Sequence, residues 1–224
     1  MPPISVLIKP SSGMCNMKCD YCFYCDEMKK RMRESYGFMT EQTLKNVIRK
    51  TMFHAEGMIS YAYQGGEPTL RGIAFYEKAM EYQRHYNKCG IRVNNAMQTN
   101  GYLIDDEWCK FFRENHFLIG LSVDGTKQIH DLYRHGRRGE PTFDRIKKAA
   151  ELMDQYGVDY NILTVVTQKT AGHAAEIYNY YKEQGWKYQQ YIACLDPLGE
   201  DRGKTPYALN PEPVSYTHLT LPTT

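Results

Sequence analysis

Cys15-Asn16-Met17-Lys18-Cys19-Asp20-Tyr21-Cys22 is the stretch on which the reading of this chain turns. It follows Ser5-Val6-Leu7-Ile8-Lys9, a short apolar run that reads as a strand delivering a loop. The spacing is C-x3-C-x2-C. Three thiolates hold three corners of a cubic iron–sulfur cluster, whose usual ligands are four cysteines. The fourth iron then has no protein ligand, and an open metal position is where substrate or cofactor binds at catalytic metal sites. The spacing therefore predicts a cluster that does chemistry. Zinc would want paired C-x2–4-C units with a second pair downstream. The next cysteine after Cys25 is Cys89, and no C-x2-C pair follows. A disulfide framework fits poorly: residues 1–14 lack the charged and apolar regions of a signal peptide, and the 7 cysteines are odd in number. Cys25 would close the open iron if it bound, so it reads as a bystander. Cys89 and Cys109 read as small buried or edge residues, and Cys194 as structural.

Outward from this loop the chain alternates apolar strand-like runs with helical periodicity. Strands are expected at Ser5–Lys9, Met58–Tyr63, Ile91–Met97, Phe117–Val123, Tyr160–Val166 and Gln189–Ile192. A helix starts after Thr40, a candidate N-cap, and places Leu44, Val47, Ile48 and Met52 on one face. Further helices are expected over Phe75–Tyr86, Asp105–Asn115, Thr142–Tyr156 and Ala174–Gln184; Gly157 and Gly185 follow the last two as C-cap residues. Strands alternating with helices imply parallel pairing with right-handed crossovers. Six units are too few for a closed eight-stranded barrel and suit an open, incomplete one. Active sites of parallel barrels collect at the C-terminal ends of the strands. Cys15–Cys22, Gly65–Pro68, Gln98–Gly101, Ser122–Gly125 and Cys194-Leu195 all fall at or just past such ends.

C-x3-C-x2-C with the aromatic Tyr21 between its last two cysteines resembles the radical S-adenosylmethionine superfamily. Gly65-Gly66-Glu67-Pro68, after the strand-like Tyr61-Ala62-Tyr63-Gln64, resembles that family's GGEP motif. Over residues 1 to about 213 the chain is similar to the anaerobic sulfatase-maturating enzymes. The segments that carry this likeness are Ile4–Pro10, Cys22-Phe23-Tyr24, Tyr63–Leu70, Gln98–Gly101, Gly120–Gly125 and Cys194–Leu198. The resemblance implies a partial (βα)6 parallel barrel of α/β class. It implies that Cys15, Cys19 and Cys22 ligate one 4Fe-4S cluster, whose open iron is chelated by S-adenosyl-L-methionine. Tyr21, Gly66, Ser122, Arg134 and Leu195 would contact that cofactor. An electron from the cluster would release a 5′-deoxyadenosyl radical, and the enzyme would convert a cysteine or serine of a sulfatase polypeptide to formylglycine. An external donor such as ferredoxin or flavodoxin would supply the electron.

The residues themselves suit these roles. The Ser122 hydroxyl can bond a ribose or carboxylate, and Arg134 can pair with a carboxylate by a charge-assisted contact. Against that, Arg134 lies in the charged run Arg134-His135-Gly136-Arg137-Arg138, a pattern typical of solvated loops. Glu67 can orient its own motif or an ammonium group. Gln64 and Gln98 are candidates to face a peptide. Two other readings share these motifs: a different peptide-modifying radical enzyme, or a non-enzymatic iron–sulfur or zinc module.

Composition bounds the rest. A net charge of +2 gives no strong field toward nucleic acid or an anionic membrane, and no apolar run approaches a bilayer span. Thiolates for a cluster suggest a reducing cytoplasm. The 19 tyrosines read as scattered amphipathic packing rather than a peptide groove. From Val214 the character of the sequence changes, and residues 214–224 read as a non-native, adapter-derived tail beyond a domain of residues 1–213. Sulfatase-maturating enzymes carry a C-terminal cysteine-rich domain with auxiliary clusters and a proton-accepting aspartate. No cysteine follows Cys194 here. The expectation is a fragment with no proton acceptor of its own, which releases deoxyadenosine but makes little formylglycine.

Overall fold

The computed structural model describes residues 3–197, 199, 201 and 203–209. The tail at 214–224 and the boundary at 213 lie outside these residues.

Strand β1 (Ile4–Ile8) leads into the cysteine loop, where β2 (Met17–Cys19) and helix α1 (Phe23–Lys29) follow. Helix α2 (Glu41–His54) begins where Thr40 accepts a hydrogen bond from Thr43 N at 3.1 Å, the expected cap. Then come β3 (Met58–Tyr63), a short 3-10 turn (Pro68–Arg71) and α3 (Ile73–Tyr86). The apolar periodicity placed the start of α3 at Phe75. It starts two residues earlier because Gly72 serves as N-cap with φ 76°. Strand β4 (Arg92–Thr99) runs two residues past its expected end, so Gln98 and Thr99 belong to the strand and the turn begins at Asn100. Helix α4 (Asp106–Glu114) is capped by Asp105 onto Trp108 N at 3.0 Å. Next are β5 (Phe117–Ser122), α5 (Lys127–His130), β6 (Arg134–Gly136) and α6 (Phe143–Tyr156), the last closed by Gly157 at φ 64°. The chain continues with β7 (Asp159–Val166), α7 (Gln168–Ala171), α8 (Ala174–Glu183) and β8 (Gln189–Ala193).

Six strands form one sheet in the order β1-β3-β4-β5-β7-β8, and every neighbouring pair is parallel. This is the expected α/β half-barrel. Alternate residues of the strands, among them Ile8, Ile59, Tyr61, Tyr63, Met97, Ile119 and Ile162, are buried in the main core with Leu44, Ile48, Phe112 and Met153 from the helices. Tyr61, Tyr63, Tyr76 and Tyr181 are among the largest fully buried side chains, so packing accounts for at least these tyrosines. A two-stranded antiparallel ribbon, β2 with β6, lies outside the sheet and pairs Cys19 with Arg134. Among the described residues, no helix is long and apolar enough to cross a membrane.

Candidate active site at the C-terminal mouth of the half-barrel

The cysteine loop leaves β1 through tight turns, with Ser12 N donating to Lys9 O and Met14 N to Ser11 O. It then meets the Gly65–Pro68 segment: Glu67 N donates to Met14 O at 2.8 Å. This contact explains the glycine at 66. Its φ is 56°, and a Cβ there would run into the Met14 carbonyl oxygen. The close approach that demands glycine is therefore made by the cysteine loop itself.

Glu67 is 1% exposed and ties the motifs together. Its carboxylate accepts from Thr69 N (2.9 Å), Thr69 Oγ1 (2.6 Å), Thr99 Oγ1 (2.7 Å) and Asn100 N (2.8 Å). Burial pushes its pKa up, and these donors oppose the shift. Of the two roles open to Glu67, orienting the motif is the one its partners fulfil. Asn100 in turn donates from Nδ2 to Asn16 Oδ1 at 2.8 Å and reaches Cys15 Sγ at 3.5 Å.

On the other side, the ribbon sets Cys19 against Arg134. Arg134 is 6% exposed, whereas Arg137 and Arg138 of the same charged run lie in solvent. Its Nη1 donates to Tyr21 Oη at 3.0 Å and stands 3.9 Å from Asp124 Oδ2. Tyr21 Oη donates to the same Asp124 oxygen. Asp124 Oδ1 accepts from Val165 N at 2.9 Å, which fastens the group to β7. Burial raises the Asp124 pKa, with Arg134 opposing. Behind them His130 is fully buried. Its Nδ1 accepts from Asp124 N (3.2 Å), and its Nε2 faces Thr142 Oγ1 (3.2 Å), which itself donates to Arg134 O (2.9 Å). That chain assigns the proton to Nε2. Burial holds the His130 pKa well below 6.5, so the ring is neutral.

Cys15, Cys19 and Cys22 are free thiols, half-buried on this loop, with Cys25 beside them. Burial pushes Cys15 up to about 11 and Cys19 up to about 12, Arg134 opposing in both. Cys22 is lowered to about 6, chiefly by a hydrogen bond from Cys25, which is raised by the same bond. Among the described residues no three His, Cys, Asp or Glu side chains converge on one metal ion. In a cubane each thiolate serves its own iron, so convergence is not what these three cysteines require. The donor set fits such a cluster. So do two buried N–H groups without a protein acceptor, Asn16 Nδ2 and Arg134 Nε. Ser122 ends β5 and is half-buried, while Leu195 follows β8 and is 76% exposed. Gln64 Nε2 reaches Tyr24 Oη at 3.4 Å.

Asp124, Asn100, Asn16 and His130 escaped the reading of the sequence as site residues. The segments Gln98–Gly101 and Ser122–Gly125 were placed at the site, but within them Asn100-Gly101 and Asp124-Gly125 gave only a turn signal for the residues themselves. A cavity of about 540 Å³ opens at the opposite end of the sheet, lined by His116, Phe117, Asp159 and Tyr188 among others. None of the candidate residues borders it, and it lies at the strand ends where parallel barrels do not place chemistry.

A half-barrel of parallel strands with a three-cysteine loop at its C-terminal mouth defines a class. The chain belongs to the radical SAM superfamily, whose family model matches residues 10–181. Within that class it is similar to the cysteine-type anaerobic sulfatase-maturating enzyme of Clostridium perfringens: 49% identical over 212 residues, 95% of this chain and 57% of that protein. The serine-type anaerobic sulfatase-maturating enzyme of Bacteroides thetaiotaomicron is 35% identical over 198 residues, 88% of this chain and 47% of that one. Native anSMEcpe, solved with bound AdoMet and Cp18Cys peptide, matches with a TM-score of 0.91 at 47% identity, covering 96% of this chain and 58% of that chain. The chain thus spans roughly half the length of the curated relatives it matches.

Proposed function

We propose that residues 1–213 form the cofactor-binding half-barrel of a radical S-adenosylmethionine enzyme that oxidises a cysteine of a sulfatase polypeptide to formylglycine. The observation that carries this is the C-x3-C-x2-C loop at the barrel mouth, in a chain 49% identical to a cysteine-type sulfatase-maturating enzyme. Cysteine is favoured over serine as target because the serine-type relative is more distant, at 35% identity.

Cys15, Cys19 and Cys22 hold a 4Fe-4S cluster. When bound, the cluster and S-adenosyl-L-methionine would supply the radical chemistry that the oxidation of the target's Cβ requires. Gly66 and the Tyr21–Arg134 pair would line the cofactor's seat, the Ser122 hydroxyl would bond a polar group of it, and Leu195 would supply an apolar contact. Asp124 keeps Arg134 paired and in place while the site is buried. The half-barrel wall, including Gln64 and Gln98, positions the peptide and limits water. An external carrier such as ferredoxin or flavodoxin delivers the electron in a reducing cytoplasm.

Anaerobic reconstitution tests the reading. The chain is expected to take up iron and sulfide and, with dithionite and S-adenosyl-L-methionine, to release 5′-deoxyadenosine. A cysteine-bearing sulfatase peptide deuterated at Cβ then tests the substrate, because deuterium should appear in the released 5′-deoxyadenosine by mass spectrometry. A loaded chain that leaves S-adenosyl-L-methionine intact would overturn the proposal.

A further inference from the structure

The cysteine loop contains a buried hydrogen-bond donor whose direction of use is already decided. Tyr102 N donates to Asn100 Oδ1 at 2.9 Å, which turns Asn100 Nδ2 toward the loop. There Nδ2 donates to Asn16 Oδ1 at 2.8 Å and approaches Cys15 Sγ at 3.5 Å. Asn100 is pinned independently, because its backbone N–H donates to Glu67 Oε2 at 2.8 Å. With Oδ1 of Asn16 occupied as acceptor, its Nδ2 is the remaining arm. Turning the amide over would set two NH2 groups against each other. That Nδ2 is buried and has no partner. Folded proteins rarely bury an N–H without an acceptor, and each such group calls for an explanation. Here the neighbouring residue is Cys15, so an acceptor that arrives with metal on that thiolate would satisfy it.

We propose that Asn16 Nδ2 donates a hydrogen bond to a sulfur atom of the cluster held by Cys15, and that Asn16 and Asn100 together raise the cluster's reduction potential. This rests on the reading of Cys15, Cys19 and Cys22 as cluster ligands. Reduction adds negative charge to the cluster, and N–H dipoles aimed at its sulfurs stabilise the reduced form more than the oxidised one. Neither asparagine titrates, so the effect is independent of pH.

The test is a redox titration of the reconstituted full chain, followed by electron paramagnetic resonance, without S-adenosyl-L-methionine. Asn16→Leu removes the donor. Asn16→Asp removes it too but keeps the acceptor that Asn100 uses. At a fixed ambient potential, the reduced-to-oxidised ratio is expected to fall about tenfold in Asn16→Leu, equivalent to about 59 mV for a one-electron couple. Asn16→Asp should fall further, because it adds a negative charge. A second measurement needs no variant: wild-type chain carrying asparagine labelled with the heavy nitrogen isotope should show an amide nitrogen coupling to the reduced cluster. Equal potentials in loaded wild type and Asn16→Leu would overturn the inference alone and leave the cluster reading intact. So would the absence of that coupling, which decides the matter if the variants fail to load. A wild-type chain that takes up no iron sinks both.

Discussion

Glu67 and Asp124 make an instructive pair. Each is a buried carboxylate just past the C-terminal end of a strand, 1% and 3% exposed, and each carries a hydrogen-bond network to the cysteine loop. They are satisfied in different ways. Glu67 accepts only from neutral donors of its own half: two threonine hydroxyls and two backbone N–H groups. Asp124 shares its charge with Arg134 and takes a phenol hydrogen bond from Tyr21. The first arrangement is scaffolding. The second places a cation beside Cys19 and leaves its Nε unpartnered. Each network therefore ends in a spare N–H near the thiols, Asn16 Nδ2 on one side and Arg134 Nε on the other. Two halves of the barrel, folded from distant parts of the chain, converge on the same loop.

Experiments can break or sharpen this contrast. The most severe is Cys19→Ala, which removes what both networks surround. Iron content should fall to background and 5′-deoxyadenosine release should vanish, as measured by iron assay and chromatography. Asp124→Ala comes next. It leaves Arg134 buried without its counter-ion, and breaking a buried pair from one side costs about 3–5 kcal/mol. Glu67→Gln leaves neutral donors facing an amide, a loss of about 1–3 kcal/mol. Urea unfolding of both variants under one set of conditions checks the ranking, and equal losses would erase the distinction drawn between the carboxylates. The smallest effect belongs to His130. Its pKa in the folded chain lies well below the ordinary 6.5, so the unfolded chain binds the extra proton as pH falls through 6.5. Its contribution is thus complete above that pH and is lost below it, by up to about 1.4 kcal/mol per pH unit. Urea midpoints between acid and neutral pH should fall more steeply in wild type than in His130→Gln. Parallel curves would show that His130 takes up its proton without unfolding.

Much of this architecture was legible in the residues. The six parallel strands, the cap at Thr40, the left-handed Gly157 and the gathering of motifs at one end follow from periodicity and local backbone preference. Arg134 was harder. Its neighbours Arg137 and Arg138 behave as a solvated charged run, and nothing local separates Arg134 from them. The ribbon that buries it consists of strands of three residues, too short to show alternation. Its partner Tyr21 is 113 residues away in sequence. Asn100 and Asp124 looked like turn residues because their local chemistry is that of turn residues; their second duties depend on what stands opposite.

The sequence by itself determined the alternation of the six sheet strands with the longer helices, the cysteine spacing and the end of the sheet at which chemistry gathers, because each depends on residues close together in the chain. Only the tertiary structure decided which buried groups are closed off and which keep a donor in reserve. Hydrogen-bond satisfaction is a property of a three-dimensional neighbourhood: Thr99 for Glu67, Val165 for Asp124 and Asn100 for Asn16 each lie far off in the chain and come within reach only once the half-barrel has formed.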